Sequence, residues 1–279
     1  MYQVIASAGN RTFKLWKSLL LRKYREKEKA YLIEGGNLLR DAYRSGTEVR
    51  ALIFCGDLTP EERDDLLGPE LAACVRECRT PLYGLAEDLF GELTQTENGR
   101  AFLACVSMPE RSLADLGEKR DPARRASVLV LDRVQDPGNL GTLIRTADAA
   151  GFAGVILLKG TADPFAPKVV RAAAGSLLRL PLVTVAGPQE LLAAARSLKL
   201  TTVATGLAKA VPYTEAELGQ GIALIVGNEG RGVAEELLRE ADLTVTIPMT
   251  GGIDSLNVSI AAAVLMFESL RQEEQNKRN

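Results

Sequence analysis

The second half of the chain alternates short runs of branched apolar residues with amphipathic stretches, and no other feature limits the fold as strongly. Apolar runs at 128–131, 154–158, 201–204, 222–226 and 243–247 read as buried strands. Stretches at 140–150, 167–175 and 189–198 carry the helical period. Strands that are apolar on both faces and separated by helices predict a parallel sheet covered on both sides, an α/β fold. Ligands of such sheets sit beyond the carboxyl ends of the strands. Three glycine-bearing segments follow the runs ending at 131, 226 and 247.

A smaller α/β unit precedes this one. Residues 31–107 pair strands at 51–54 and 102–106 with helices at 37–45 and 60–67, and the charged, Pro- and Gly-containing stretch after them reads as a linker. The predicted organisation is therefore a first domain over residues 1–107, a linker over 108–126 and a second domain over 127–279. A chain of 279 residues is long enough for two cores.

The formal net charge is only −2, so any basic surface has to be local. One exists near the start: Arg11, Lys14, Lys17, Arg22, Lys23, Arg25, Lys27 and Lys29 face only Glu26 and Glu28, with Phe13, Trp16 and Tyr24 interleaved. By itself this run is either a solvated helix face or a phosphate-binding surface.

The chain contains no histidine, which removes an essential part from Ser-His-Asp hydrolysis, Cys-His chemistry and His-ligated metal catalysis. Cys55, Cys74, Cys78 and Cys105 lack the spacing of paired zinc ligands and read as buried free thiols in a reducing cytoplasm. The apolar stretch around residues 15–21 holds Lys17 and leads to no small-residue cleavage site, so no secretory leader is expected. The stretch 256–270 is short for a membrane span and holds Asn257, Ser259 and Glu268, which predicts a core or interface helix and no membrane association.

The first glycine-bearing segment reads Leu131-Asp132-Arg133-Val134-Gln135-Asp136-Pro137-Gly138-Asn139-Leu140-Gly141-Thr142-Leu143-Ile144-Arg145. Asn139 is placed to cap a helix whose apolar stripe is Leu140, Leu143, Ile144 and Ala147, and Gly141 leaves room one turn before Arg145. Arg145 is then either a plain exposed arginine or a phosphate clamp. The second segment, Gly227-Asn228-Glu229-Gly230-Arg231-Gly232, fits neither the dinucleotide nor the P-loop pattern, although its glycines permit close backbone approach to a ligand. In the third, Ile247-Pro248-Met249-Thr250-Gly251-Gly252-Ile253-Asp254-Ser255-Leu256-Asn257, Pro248 ends a strand and Ser255 is placed to cap the Ala-rich helix that follows.

Taken together and in this order, the three segments closely resemble the three motifs of the SpoU (TrmH-like) branch of the SPOUT RNA methyltransferases. The match covers the whole second domain. The basic run before Tyr31-Leu32-Ile33-Glu34-Gly35 is similar to the family's L30e-like RNA-binding domain, and Gln95-Thr96-Glu97-Asn98-Gly99-Arg100 to the passage joining the domains. The resemblance implies a parallel SPOUT sheet with a trefoil knot, an S-adenosylmethionine cofactor, a homodimer, and methylation of a ribose 2′-hydroxyl in RNA, with ribosomal RNA of the 23S type expected first.

Carried over position by position, the resemblance implies cofactor contacts at Thr205, Gly206, Gly227, Glu229, Gly230, Ile247, Pro248, Met249 and Leu256. It assigns the reacting hydroxyl to Arg145, with Asn139, Glu229, Ser255 and Asn257 holding the ribose and Arg145 in attack geometry. Arginine orients an oxygen and stabilises its developing charge more readily than it removes a proton, so a substrate phosphate is a candidate proton acceptor and no metal is required. Arg11, Lys14, Arg22, Lys23 and Arg25 are expected to read RNA phosphates, with Trp16 or Tyr24 available for stacking. Two other readings stay open: a non-catalytic RNA-binding ribosome-assembly protein, and a transfer RNA 2′-O-methyltransferase. A generic nucleotide-binding enzyme is disfavoured by the missing phosphate-loop patterns.

Overall fold

The strands form two sheets, and each sheet has its own hydrophobic core. The computed structural model describes residues 2–94, 102–118, 126–219, 221–252 and 255–277. The passage 95–100, much of the expected linker, and Ile253 and Asp254 lie outside the described residues. Contacts group the chain into two units, Met1–Glu110 with Phe165–Leu178, and Arg111–Pro164 with Arg179–Asn279.

The first unit runs β1 (Tyr2–Ile5), α1 (Arg11–Ser18), α2 (Arg22–Glu28), β2 (Ala30–Glu34), α3 (Gly36–Arg44), β3 (Val49–Cys55), α4 (Pro60–Glu77), β4 (Leu82–Leu85), α5 (Glu87–Gly91) and β5 (Phe102–Ser107). Its sheet has the order β1-β4-β3-β5-β2, with β5 antiparallel to both β2 and β3. Asn10 caps α1 by accepting from the Thr12 and Phe13 amides, and the helix buries Phe13 and Trp16 against Ile5, Leu19, Ile53 and Leu103. Thr59 and Glu62 form a reciprocal capping box at the start of α4, and the helix breaks at Gly68, whose φ of 73° precedes Pro69. The expected helix at 60–67 is thus the first half of a broken one.

In the remainder, α6 (Asp115–Glu118) leads into β6 (Val128–Leu131), α7 (Pro137–Ala149), β7 (Gly154–Leu158), α8 (Pro167–Ala172), α9 (Ser176–Arg179), β8 (Leu182–Val185), α10 (Pro188–Ser197), β9 (Thr201–Thr205), β10 (Val211–Pro212), β11 (Ile222–Val226), α11 (Glu235–Glu240), β12 (Leu243–Thr246) and α12 (Val258–Asn276). The strands make a seven-stranded sheet of order β10-β12-β9-β11-β6-β7-β8, parallel throughout. The central strands β11, β6 and β7 are buried along their whole length, as continuous apolar runs require. No helix among the described residues is long and apolar enough to cross a membrane.

Several local expectations are corrected. Asn139 does not cap α7: Asp136 does, accepting from the Asn139 amide at 2.8 Å, because Pro137 suits the first helical position with its fixed φ and missing N–H. Ser255 does not cap α12 either; Asn257 takes the Ser259 and Ile260 amides. The helix expected over 167–175 stops at Ala172, and Ala174 (φ 46°) and Gly175 (φ 87°) turn the chain before the separate short helix α9 begins at Ser176. Within the first unit α8 packs on β2, and the buried Tyr31 ring lies 5.0 Å from that of Phe165. All four thiols are free, but only Cys105 is buried; Cys55 and Cys74 are half-buried and Cys78 is exposed.

One buried acid ties the end of β6 to the start of α11. Asp132, 1% exposed, accepts from Nε and Nη2 of Arg133 at 2.6 and 2.9 Å and from the Ala234 amide at 2.7 Å. Replacing Asp132 with Ala strands these donors and is expected to cost about 3 kcal/mol of unfolding free energy, read by urea denaturation, against under about 0.5 kcal/mol for an exposed control such as Glu61→Ala.

Candidate active site

The residues of the three glycine-bearing segments meet at the carboxyl ends of β11, β6 and β12. After β11 the chain makes a tight loop in which Asn228 and Gly232 exchange two backbone hydrogen bonds at 3.0 and 2.9 Å. The Asn228 side chain closes the loop, its Oδ1 accepting from the Gly230 and Arg231 amides at 3.0 and 3.1 Å. Gly227 has no room for a side chain, because a Cβ there would lie 2.0 Å from the Gly232 carbonyl carbon. The loop therefore needs glycine at its root, and its tip presents Glu229.

Glu229 gathers donors from the segment after β6. Its carboxylate accepts from the Gln135 and Asp136 amides at 3.1 and 3.0 Å and from Nδ2 of Asn139 at 3.2 Å. Asn139 in turn accepts at Oδ1 from Nδ2 of Asn257 at 2.9 Å, while Oδ1 of Asn257 caps α12. One relay of polar side chains thus joins the first, second and third segments. Partial burial pushes the Glu229 carboxyl up, but the backbone N–H donors of Glu229, Asp136 and Gln135, together with Asn139, outweigh it and hold the group below its ordinary value.

Beside this relay lies a cavity of about 620 Å³. Val245, Ile247, Leu256, Val258, Ala261 and Leu265 supply apolar wall, and Thr205, Gly206, Gly227, Asn228 and Gly230 line it as well. The cavity falls within the size range of sites for drug-sized ligands, and its mixture of apolar wall and few polar groups is typical of them. S-adenosylmethionine fits this donor set: an adenine ring suits the apolar wall, and the Glu229 carboxylate at the rim suits a ligand carrying positive charge.

Thr205, Gly206, Gly227, Glu229, Gly230, Ile247, Met249, Ser255, Leu256 and Asn257 all line this cavity, whereas Pro248 is not among its lining residues. The Arg145 side chain is exposed on α7, makes no hydrogen bond or ion pair with another described residue and takes no part in the Asn139–Glu229–Asn257 relay. Asn228, Leu207, Val258, Ala261 and Leu265 also line the cavity. The last three recur on one side of α12 at three- and four-residue spacing, the signal in the sequence that marks them.

On the first unit, Arg11, Lys14 and Lys23 are exposed, and Arg22 is exposed while paired with Glu26 at 2.7 Å. Arg25 is not on that surface. It is 3% exposed and donates to the Leu19 carbonyl at 2.5 Å, so it acts as a cap on the end of α1. Trp16 is 2% exposed and offers no free face for stacking at the surface; Tyr24 is half-buried.

Residues 126–267 match the SpoU rRNA Methylase family, and residues 10–104 match the MRM3-like substrate binding domain. The chain is 40% identical over 266 residues to the 23S rRNA (guanosine(2553)-2′-O)-methyltransferase RlmP of Bacillus subtilis, covering 94% of this chain and 97% of that one. It is 33% identical to the 23S rRNA (uridine(2479)-2′-O)-methyltransferase of Streptomyces viridochromogenes, over 95% of this chain and 91% of the relative. Among solved structures, the AdoMet-bound rRNA methyltransferase of Sinorhizobium meliloti superposes with a TM-score of 0.84 at 31% identity, over 97% of this chain and 98% of the other. The chain belongs to the SpoU rRNA methylase family.

Proposed function

We propose that this chain transfers a methyl group from S-adenosylmethionine to a ribose 2′-hydroxyl of 23S-type ribosomal RNA. The observation that carries this reading is the relay Glu229–Asn139–Asn257 at the mouth of the 620 Å³ cavity, since it joins all three family segments at one place. Bound there, S-adenosylmethionine supplies an electrophilic methyl. Thr205, Gly206, Gly227, Gly230, Ile247, Met249 and Leu256 would hold it. Relatives named for 23S rRNA 2′-O-methylation and solved AdoMet-bound members of the family support the substrate and cofactor.

The chain's own residues then have to orient a weakly nucleophilic hydroxyl and stabilise the charge that develops on it. Asn139 and Asn257 are fixed by the relay and leave little freedom at the rim. Arg145, exposed and unpaired among the described residues, is available to the RNA and in this reading donates to the ribose oxygen or its phosphate. Ser255 lies at the same rim. Arg11, Lys14, Arg22 and Lys23 on the first unit take RNA phosphates.

The same reading includes the family's trefoil knot around the cofactor loops, a cytoplasmic location and a homodimer. Support for the dimer comes from α12, where Ile260 and Phe267, two turns apart, remain 53% and 49% exposed.

Arg145→Ala is expected to lower methyl transfer to ribosomal RNA from cells lacking this protein by at least about a hundredfold, with S-adenosylmethionine affinity changed less than about twofold. Transfer at the wild-type rate, or none by the wild-type protein to free or ribosome-bound RNA, overturns the reading.

Glu229 makes a pH prediction with a definite sign. A depressed folded-state value stabilises the relay at every pH above the ordinary glutamate value of about 4.3, and that contribution is lost as pH falls through the lowered value. Calorimetric titration should find S-adenosylmethionine affinity flat from about pH 8 to about pH 5 and falling only below about pH 4. Glu229→Gln should bind about tenfold more weakly at neutral pH and lose the acid dependence.

A further inference from the structure

The first sheet leaves a hole beneath α1. Ala30 on β2, Ala51 on β3 and Cys105 on β5 share a face, Ala51 directly opposite Cys105, and none is more than 4% exposed. Small side chains on three strands in a row leave a cavity of about 180 Å³, bounded on the helix side by Thr12, Leu15 and Trp16. Protein interiors rarely leave such a space unfilled, and an apolar cavity of about 150 Å³ is known to admit a benzene ring.

Two features of the wall specify the kind of ring. Tyr83 lines it with its ring centroid 5.1 Å from that of Trp16, edge to face, so the wall is aromatic. Arg50 lines it as well, and all its nitrogens are engaged along the guanidinium edge: Nε donates to Ser107 Oγ at 2.7 Å, Nη1 to the Glu28 carbonyl at 2.8 Å, and Nη2 to the Lys29 carbonyl at 2.9 Å. A guanidinium held by its edge keeps a flat face, a surface on which unstacked bases lie in RNA complexes. Glu28 lines the same wall, with its backbone carbonyl taken by Arg50 and its carboxylate 3.5 Å from Lys27 Nζ. Arg11, Lys14 and Lys23 stand exposed on α1 and α2 nearby in the chain.

We propose that this cavity receives one unstacked nucleobase of RNA, while the exposed cations of α1 and α2 hold the flanking phosphates. The proposal rests on the RNA reading above and gives the first unit a base-binding site in addition to its charge. Trp16 is the chain's single tryptophan and lies in the cavity wall, so its emission reports on entry.

The test titrates the full-length protein with three polyanions: a short single-stranded RNA of mixed sequence, an abasic ribose-phosphate strand of equal length, and inorganic polyphosphate. All three are expected to bind, and only the RNA to quench Trp16. Ala51→Leu, which fills the cavity, should abolish the quench and weaken RNA binding about tenfold, within the contribution of one stacked base. Should that variant fail to fold, Arg50→Lys serves instead: it keeps the charge but loses the flat guanidinium face, and it should weaken RNA binding and the quench while leaving polyphosphate binding unchanged. Equal emission with RNA and the abasic strand, or an undiminished quench in Arg50→Lys, overturns the proposal. Methyl transfer measured in parallel separates the two readings: transfer without quenching removes the base site alone, and quenching without transfer to any ribosomal RNA removes the methyltransferase reading alone.

Discussion

The site depends on one carboxylate. Glu229 stands at the tip of a loop short enough to need glycine at its root, and it binds the amides that begin α7 as well as the side chain of Asn139. Without that acceptor, two backbone N–H groups next to the cavity and one amide side chain lose their partner, and Asn139 loses the orientation in which it meets Asn257. The relay is a device for holding three loops from separate strands in mutual register with hydrogen bonds alone. Loops at strand ends have few apolar contacts to fix them, so polar ties of this sort decide whether the mouth of the cavity has a defined shape.

Around it, rigidity comes from ordinary sources. The central strands are buried on both faces, and the sheet they form projects its loops from a fixed edge. Asp132, at the end of β6, joins that edge to α11. The polar ties are thus graded, from a fully buried acid at the sheet edge to a partly solvated one at the rim.

Much of this was legible in the residues, and what was not has physical causes. Apolar runs located every central strand of the parallel sheet, because a short run of branched apolar residues set between helices fits little besides a strand buried on both faces. By contrast, β8 and β10 at the ends of the sheet are short and half-exposed and carry little pattern. Helix starts were misplaced by a few residues at Asn139 and Ser255, since several capping residues compete in each segment and only the chain's path chooses among Asp136, Asn139, Ser255 and Asn257. Arg25 looked like one more surface cation; the left-handed Lys29 that ends α2 and the open carbonyl of Leu19 that receives its guanidinium are not visible in a charge count. The relay itself could be named residue by residue through family resemblance, but its hydrogen-bond order was a matter of geometry.

The grouping of Phe165–Leu178 with the first unit has a consequence for the order of events during synthesis. Domains that are continuous in sequence can close as soon as their last residue has emerged, and amino-terminal ones generally do so first. Here the sheet that begins at Tyr2 keeps Tyr31 waiting for Phe165, so its surface beside β2 stays open until β6 and β7, the first two strands of the parallel sheet, have also been made. The first unit therefore completes only after synthesis of the second has begun, and the loops that line the large cavity are still to come when its last piece emerges.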